Sequence, residues 1–167
     1  MTRPTKIISG GQTGCDLGAL RAGRILSIQT GGWMPRGFRT ELGSRPWMAK
    51  MYGMREHADH RYPARTLENV RESDLTLLFG DLTEPGTRLT ARLCADLGKP
   101  VVTNPTVDFL AHVFDHTQPA AVVNVAGNRE SGNRGIEEYV VWMLVAAWGT
   151  VEQLAQHPPP KFMPRIR

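Results

Sequence analysis

The chain has 167 residues, of which 41% are hydrophobic and 22% charged, and its formal net charge at pH 7 is +4. This composition is ordinary for a soluble globular protein, and the length is enough for one domain that buries its core without disulfides or structural metals. No apolar run reaches the roughly 18 residues of a membrane span, and the N-terminus lacks the apolar core of a signal peptide. We therefore expect a cytoplasmic protein with no membrane partner.

The number of cysteines and the distribution of basic residues exclude some classes of ligand. The two cysteines, Cys15 and Cys94, are too few for a disulfide framework or a zinc site, and we predict no metal centre. The 20 basic residues are mostly arginines, whose planar guanidinium suits phosphate and carboxylate groups. They are spread along the chain rather than clustered on one helix, so nucleic acid is not the expected partner. The charge pattern predicts a small anionic ligand.

The first distinctive stretch is a glycine-rich turn at residues 9–16, Ser-Gly-Gly-Gln-Thr-Gly-Cys-Asp, between an apolar run at 6–8 and a predicted helix at 13–27. Glycines let the backbone approach a ligand closely, and the first N–H groups of a helix point at an anion. The turn lacks the lysine of a Walker A loop and the glycine spacing of the dinucleotide fingerprint. We interpret it as an oxyanion site or, alternatively, as a tight turn that only packs the helix on the strand. The candidate ligand-binding residues are Gly10, Gly11, Gln12, Thr13 and Gly14.

Residues 28–33 predict a short strand, and the following Pro35 and Gly37 predict a turn. Arg36 in that turn is a candidate second contact to the anion, and Trp33 is a candidate platform for an aromatic ring. The alternatives are a surface arginine and a half-buried tryptophan. Residues 40–63 mix aromatic, methionine and charged side chains without a clear period. We expect this insertion to form a flap beside the ligand site.

The second half of the chain alternates helices and strands. We predict helices at 64–73, 88–97, 106–115 and 136–148, and strands at 74–80, 99–105 and 120–125. On the first of these helices, Arg65 is expected to face outward or toward the site. The helix at 136–148 is apolar on nearly every side, which indicates burial on both flanks and favours a homo-oligomer. We assign residues 1–150 to a single ligand-binding domain and residues 151–167 to a loose, proline-rich tail.

This alternation predicts an α/β protein with a three-layer, Rossmann-like fold and a doubly wound, mostly parallel sheet. Ligands of such folds bind at the carboxyl ends of the strands, where three loops fall, after residues 8, 79 and 125. The second loop adds the candidates Gly86 and Thr87, and the third adds Asn128, Arg129 and Ser131. A valine at Gly11 would then place its Cβ where the anion binds and leave the fold intact.

No nucleophile with an adjacent base stands in these loops, and we assign no catalytic residue. The weak acid–base candidates are the carboxylates of Asp16 and Glu130. Their alternative roles are to cap a helix or to orient Arg129.

Five motifs occur in order along the chain: the first turn, Gly32-Trp33-x-Pro35-x-Gly37, Asn69-Val70-x-x-Ser73-Asp74, Gly80 to Pro85-Gly86-Thr87-x-Leu89-Thr90, and Val125-Ala126-Gly127-x-Arg129-Glu130-Ser131. In this combination the chain resembles the molybdenum cofactor carrier family, within the Rossmann-like superfamily that includes the lonely-guy phosphoribohydrolases. The resemblance runs from about residue 6 to residue 149. It implies a doubly wound fold, self-association, and binding of a phosphate-bearing pterin or nucleotide-like ligand, molybdenum cofactor (molybdopterin) being the family's namesake.

The second turn departs from the pattern of the phosphoribohydrolases. Those enzymes carry a glutamate there that helps to cleave the ribosyl bond, and Thr90 stands in its place. A neutral hydroxyl cannot act as the general acid or stabilise an oxocarbenium-like charge as a carboxylate does. The leading hypothesis is therefore a non-catalytic binding or carrier protein for a molybdopterin-like ligand. The alternatives are binding or sequestration of an ADP-ribose-like nucleotide signal and a nucleotide-processing hydrolase.

Overall fold

A parallel sheet forms the middle layer of the computed structural model, which describes residues 3–114 and 122–167. In the described residues the strands are β1 (Lys6–Ile8), β2 (Gln29–Met34), β3 (Arg39–Thr40), β4 (Gly43–Ser44), β5 (Met54–Glu56), β6 (Leu75–Phe79), β7 (Val101–Thr103) and β8 (Val122–Gly127). Six of them lie in the order β5-β2-β1-β8-β6-β7 and pair in parallel, whereas β3 and β4 form a separate antiparallel hairpin. Every residue of β6 is buried, because a parallel sheet is covered on both faces.

Helices cover the sheet on both sides. They are α1 (Cys15–Ile25), α2 (Trp47–Tyr52), α3 (Tyr62–Glu72), α4 (Pro85–Asp96), α5 (Val107–His112), α6 (Ile136–Trp148) and α7 (Val151–Gln156). On one face α1, α5 and α6 pack together over the main hydrophobic core, and α3 and α4 contact each other on the opposite face. This arrangement confirms the predicted three-layer, doubly wound α/β fold.

Helices α1, α3 and α4 begin two or three residues away from their predicted starts, and α3 begins at Tyr62 rather than at residue 64. Helix α1 is shorter than the predicted 13–27, because the backbone has positive φ angles of 76° at Gly14 and 54° at Ser27, on either side of the helix. Helix α4 begins at Pro85 rather than at Arg88, since proline fits the first position of a helix. As a result, Gly86 and Thr87 belong to the first turn of α4 and not to the loop before it.

The apolar sides of α6 are covered within the chain. Its buried residues pack in the main core with side chains from α1, α5 and the central strands. The apolar pattern therefore has an intramolecular explanation and no longer supports a contact between subunits.

The prediction of a loose tail over residues 151–167 is wrong at both ends of that stretch. Its first part is helix α7, whose N-terminus has a capping box between Thr150 and Gln153. Near its end, the Arg165 amide donates to the side chain of Asn133, and the Arg167 guanidinium pairs with Asp81 at 2.7 Å. The last residues thus lie against the loops that follow β6 and β8.

The insertion at residues 40–63 is only in part a surface flap. Strand β5 pairs with β2 at one edge of the main sheet, and α2 buries Met48 and Tyr52 in a second apolar cluster with Met34. The β3–β4 hairpin is the part that lies beside the strand ends. The elements here are two to six residues long, too short for a hydrophobic period to show in the sequence.

Parts of two predicted elements, residue 115 of a helix and residues 120–121 of a strand, lie outside the described residues. Among the helices in the described ranges, none combines the length and the apolar character that a bilayer span requires.

Candidate functional site

A cavity of about 440 Å³ lies where the carboxyl ends of β1, β8 and β6 meet. Its walls come from the loop after β1, the N-terminal half of α3, the first turns of α4 and the loop after β8. The polar and charged residues that line it are Gln12, Asp16, Tyr62, Arg65, Thr66, Glu84, Thr87, Thr90, Asn128, Arg129 and Ser131. The place and the polar lining are those of a ligand site in a doubly wound fold.

Most backbone N–H groups of the glycine-rich turn donate hydrogen bonds to other groups of the protein. The amides of Gly11, Gln12 and Thr13 donate to Ser9 Oγ, Asp16 Oδ2 and Gln12 Oε1, over 3.3, 3.1 and 3.1 Å. The Cys15 amide donates to the carbonyl of Asn128 at 3.1 Å. What the turn presents to the cavity is therefore the side chain of Gln12 rather than these amides.

The glycines of this turn lie where neighbouring groups pack too closely to leave room for a side chain. A Cβ on Gly10 would overlap the guanidinium of Arg65, and one on Gly14 would lie 2.6 Å from the Glu130 nitrogen in the loop after β8. At Gly11, where φ is +67°, a Cβ would lie 2.6 Å from Met34 Sδ in the second apolar cluster. The expectation that a Gly11 side chain fills the anion's place is wrong, because that side chain would point into the core and strain the backbone.

A buried ion pair joins Asp16, at the end of the glycine-rich turn, to Arg65 on α3. Arg65 Nη1 lies 3.4 Å from Asp16 Oδ2, and the two side chains are 12% and 6% exposed. Burial raises the pKa of the Asp16 carboxyl, and the charge of Arg65 opposes that rise. The Asp16 side chain thus anchors both the Gln12 amide and the Arg65 guanidinium.

Two buried donors beside this ion pair have no hydrogen-bond partner in the described part of the chain. They are Nε2 of Gln12, a residue only 4% exposed, and Nε of Arg65. Both residues line the cavity. A buried unsatisfied donor costs about 1–3 kcal/mol, so an acceptor bound in the cavity would recover that free energy.

The hydroxyls of Thr13 and Ser131 are occupied by a carboxylate that the sequence did not indicate. Both donate to the Glu41 side chain, which follows β3 in the hairpin. The Glu41 amide also donates to Gln12 Oε1 at 3.0 Å. Partial burial raises the pKa of the Glu41 carboxyl, but the hydrogen bonds from Ser131 and Thr13 outweigh it and lower the pKa overall.

Glu130 lies with its carboxylate at the start of α6. Its Oε1 accepts from the Gly135 amide at 2.6 Å, and its Oε2 accepts from the Glu137 amide at 3.1 Å. A carboxylate in this position satisfies free N–H groups of the first turn and complements the helix dipole. Of the roles considered for Glu130 from the sequence, this geometry corresponds to capping of a helix.

Replacing Glu130 with alanine is expected to lower the free energy of unfolding by about 1–2 kcal/mol, because two helix N–H groups lose a charged acceptor. Glu130→Gln, which keeps one acceptor oxygen, should lose about half as much. Urea denaturation followed by circular dichroism measures both variants. An alanine variant as stable as the wild type would show that the carboxylate does not stabilise α6.

Trp33 and Arg36 lie outside the cavity wall. The Trp33 indole donates to Glu72 at 3.0 Å, and the Arg55 guanidinium covers its ring at 4.1 Å from the centroid. The exposed Arg36 contacts Asp59 through its backbone amide at 3.0 Å. Neither side chain is among those that the cavity brings together.

Three guanidinium groups gather around the ring of Tyr62, a residue that the sequence analysis did not single out. The Cζ atoms of Arg129, Arg39 and Arg65 lie 4.9, 5.3 and 5.8 Å from the centre of its ring. The three arginines come from a loop, a hairpin and a helix that are far apart in sequence. The sequence indicated Arg129 through its loop and left Arg65 as facing outward or toward the site, but no local pattern marked Arg39 or Tyr62.

The first turn of α4 forms the far wall. Within residues 3–114 and 122–167 no side chain caps this helix, and its first intrahelical bond runs from the Arg88 amide to the Glu84 carbonyl. A Cβ on Gly86 would have no atom of the described residues within 4 Å. Asn128 ties the two loops together, donating to the Asp81 carbonyl and to Thr87 Oγ1 at 2.9 and 3.1 Å. Asn128 therefore shapes the site, while the Gly86 and Thr87 amides of the first turn of α4 are available to an anion.

The described residues hold no group of three or more His, Cys, Asp or Glu side chains placed to bind a metal ion.

A doubly wound parallel sheet with a polar cavity at the carboxyl edge of its central strands places the protein in the class of Rossmann-like α/β proteins. More narrowly, the chain belongs to the circularly permutated YpsA SLOG family, whose model matches residues 7–148. It is also similar to a solved structure from Syntrophus aciditrophicus SB named "Putative molybdenum carrier protein", with 30% identity and a TM-score of 0.74, over 88% of this chain and 96% of that one. Among curated proteins, none matches. The recognition made from the sequence motifs is thus confirmed.

Proposed function

We propose that this protein is a non-catalytic binding or carrier protein for a small phosphate-bearing ligand, most closely molybdopterin of the molybdenum cofactor. The proposal is based on two buried donors, Gln12 Nε2 and Arg65 Nε, which lie at the wall of one cavity and have no hydrogen-bond partner among the described residues. A phosphate oxygen is an acceptor that suits both. The family and the name of the similar solved structure support the pterin over other phosphorylated ligands.

The size and chemistry of the cavity support a ligand of this kind. Its volume of about 440 Å³ falls in the range that small-molecule sites occupy, about 300–1,000 Å³. In our proposal the phosphate contacts Gln12, Arg65 and Arg129 and the N-terminal amides of α4. The uncharged part of the ligand packs against Pro85 and Leu89, which add apolar surface to the wall.

The contacts of the candidate acid–base groups support binding rather than catalysis. Glu130 holds the N-terminus of α6, and Asp16 is paired with Arg65 and the Gln12 amide. Thr90, which stands where the phosphoribohydrolases have their glutamate, donates its hydroxyl to the Gly86 carbonyl at 3.1 Å. These groups are engaged in holding the structure.

The test is to identify the small molecule that the purified protein carries. We expect mass spectrometry and metal analysis of the denatured protein to find a phosphorylated pterin, with or without molybdenum. A matched Gly86→Leu variant, whose side chain would enter the cavity, should release none. A protein purified empty should bind added molybdopterin when titrated under anaerobic conditions.

If the purified protein releases a molecule other than a pterin, the proposed function changes. The same donors suit the diphosphate of an ADP-ribose-like nucleotide, and recovery of such a nucleotide would replace the carrier function with nucleotide binding. Hydrolysis of a nucleotide monophosphate that disappears in Asp16→Asn or Glu84→Gln would overturn the non-catalytic assignment. Both carboxylates line the cavity.

A further inference from the structure

The β3–β4 hairpin is attached to the wall of the cavity at its tip. Glu41, in the two-residue connection between the strands, accepts hydrogen bonds from Thr13 and Ser131 and donates its amide to Gln12. These partners belong to the loops after β1 and β8. The base of the hairpin is held separately, since the Arg45 amide donates to the Phe38 carbonyl at 2.9 Å. Glu41 therefore makes three polar contacts between the hairpin tip and the site, two through its carboxylate and one through its backbone amide.

The attachment places a further, exposed arginine beside Tyr62 at the edge of the cavity. Arg39, two residues before Glu41, lies with its Cζ 5.3 Å from the Tyr62 ring centre. Tyr62 itself lines the cavity, together with Arg65 and Arg129, whose guanidinium groups approach the same ring. We call Arg39, Arg65 and Arg129 the arginine cluster.

In the described residues a close ion pair neutralises one arginine of this cluster, and the carboxylates of Asp16 and Glu41 act on Arg129 from beyond 4 Å. Within the described residues, Arg65 has a carboxylate within 4 Å, at Asp16, and Arg39 and Arg129 have none. Like charges gathered around one ring repel each other. A multiply charged anion between them offsets that repulsion, and it gains more from the cluster than a singly charged one does.

We infer that Arg39 is a ligand-binding residue carried by the hairpin, and that the arginine cluster selects ligands with a phosphomonoester or diphosphate over those with a phosphodiester. Glu41 is the positioning residue that holds Arg39 over Tyr62. This inference rests on the proposed function, because it names the charged group that the same cavity takes. A phosphomonoester carries about −1.5 to −2 charges at neutral pH, whereas a diester carries one.

Isothermal titration with two inorganic or minimal probes tests the role of Arg39. Wild-type protein should bind pyrophosphate at least about tenfold more tightly than dimethyl phosphate. Arg39→Gln should weaken pyrophosphate binding by roughly tenfold or more, the loss of one charge-assisted contact, and leave dimethyl phosphate binding unchanged. The matched control is Lys50→Gln, which removes an exposed positive charge on α2 of the same insertion and should change neither affinity.

The outcomes separate the inference from the proposed function. Equal pyrophosphate affinity in wild type and Arg39→Gln would overturn the role of Arg39 and leave the phosphate site of the proposed function standing. Failure of the wild type to bind either probe would overturn both. Equal affinity of the wild type for the two probes would overturn the selection by charge.

A second pair of variants tests the positioning role of Glu41. Glu41→Ala should weaken pyrophosphate binding about as much as Arg39→Gln does, and should increase hydrogen exchange of the amides at 39–44. Glu41→Gln keeps an acceptor for the two hydroxyls and should restore both properties in large part. If Glu41→Ala leaves exchange and affinity at wild-type values, the positioning role is overturned. Unchanged circular dichroism of all three variants checks that the fold is retained.

Discussion

Leucine at Gly86 is expected to abolish ligand binding without destabilising the protein. The position is in the first turn of α4, its φ is not left-handed, and a Cβ there would have no atom within 4 Å in the part of the chain that the structure describes. A larger side chain can therefore grow into the cavity without a clash. We expect affinity for pyrophosphate to fall by about 100-fold or more, which corresponds to roughly 2.7 kcal/mol.

Stability should stay the same or rise in this variant, because replacing glycine at a compatible helical position stabilises by about 0.4–1 kcal/mol. Titration calorimetry and thermal unfolding measure the two effects separately. The matched control is Ala95→Leu, which adds a similar side chain to an exposed position near the other end of α4. Wild-type affinity in Gly86→Leu would mean that the ligand binds outside this cavity.

Replacing Arg65 with methionine is expected to remove both ligand binding and a large part of the stability. The guanidinium is 12% exposed, pairs with Asp16 and lies against Gly10. Breaking a buried ion pair by removing one partner costs about 3–5 kcal/mol, since the other charge is left buried and unpaired. Denaturant unfolding and calorimetry check the two losses.

The pH dependence of this variant follows from Asp16. Burial already raises the pKa of its carboxyl in the wild type, and loss of Arg65 removes the charge that opposes the rise. The folded variant then keeps a proton that the unfolded chain releases, so its stability falls as pH increases above the pKa of the unfolded carboxyl. Unfolding measured between acid and neutral pH should show this fall, and an opposite slope would contradict the assignment of the charge.

A double variant separates stability from binding. Asp16→Asn with Arg65→Met removes both charges and should recover most of the lost stability and abolish the added pH dependence. Binding should not recover, because the cavity still lacks the guanidinium. If the double variant binds pyrophosphate as the wild type does, Arg65 acts on the ligand only by neutralising Asp16.

Much of the fold was predictable because its central elements carry strong local patterns. The continuous apolar run at β6 and the apolar segment at α6 were assigned from sequence with bounds close to those observed. The hairpin, α2 and β5 were not, since elements of two to six residues have no period to detect. Helix α7 was missed because its capping box stands just before a run of prolines that suggested a loose tail.

The site was predictable at the level of loops and not at the level of side chains. The loops after β1, β6 and β8 do meet at one edge, as the parallel topology requires. Which groups face the ligand depends on contacts between residues far apart in sequence, such as Thr13 with Glu41 and Gly10 with Arg65. Backbone donors that the sequence assigned to an anion are used within the turn itself, because the fold brings acceptors of the same turn within reach.

Because β8 lies between β1 and β6, the central part of the sheet can be completed only late in synthesis of the chain. Strands β1 and β6 each pair with β8, and in the described residues they do not pair with each other. The two halves of the sheet that emerge first from the ribosome therefore stay unjoined until residues 122–127 insert between them. Long-range parallel pairing of this kind is slow, and the cavity lies at the join. A nascent chain has no complete site, so the ligand can be captured only after translation has passed the last central strand.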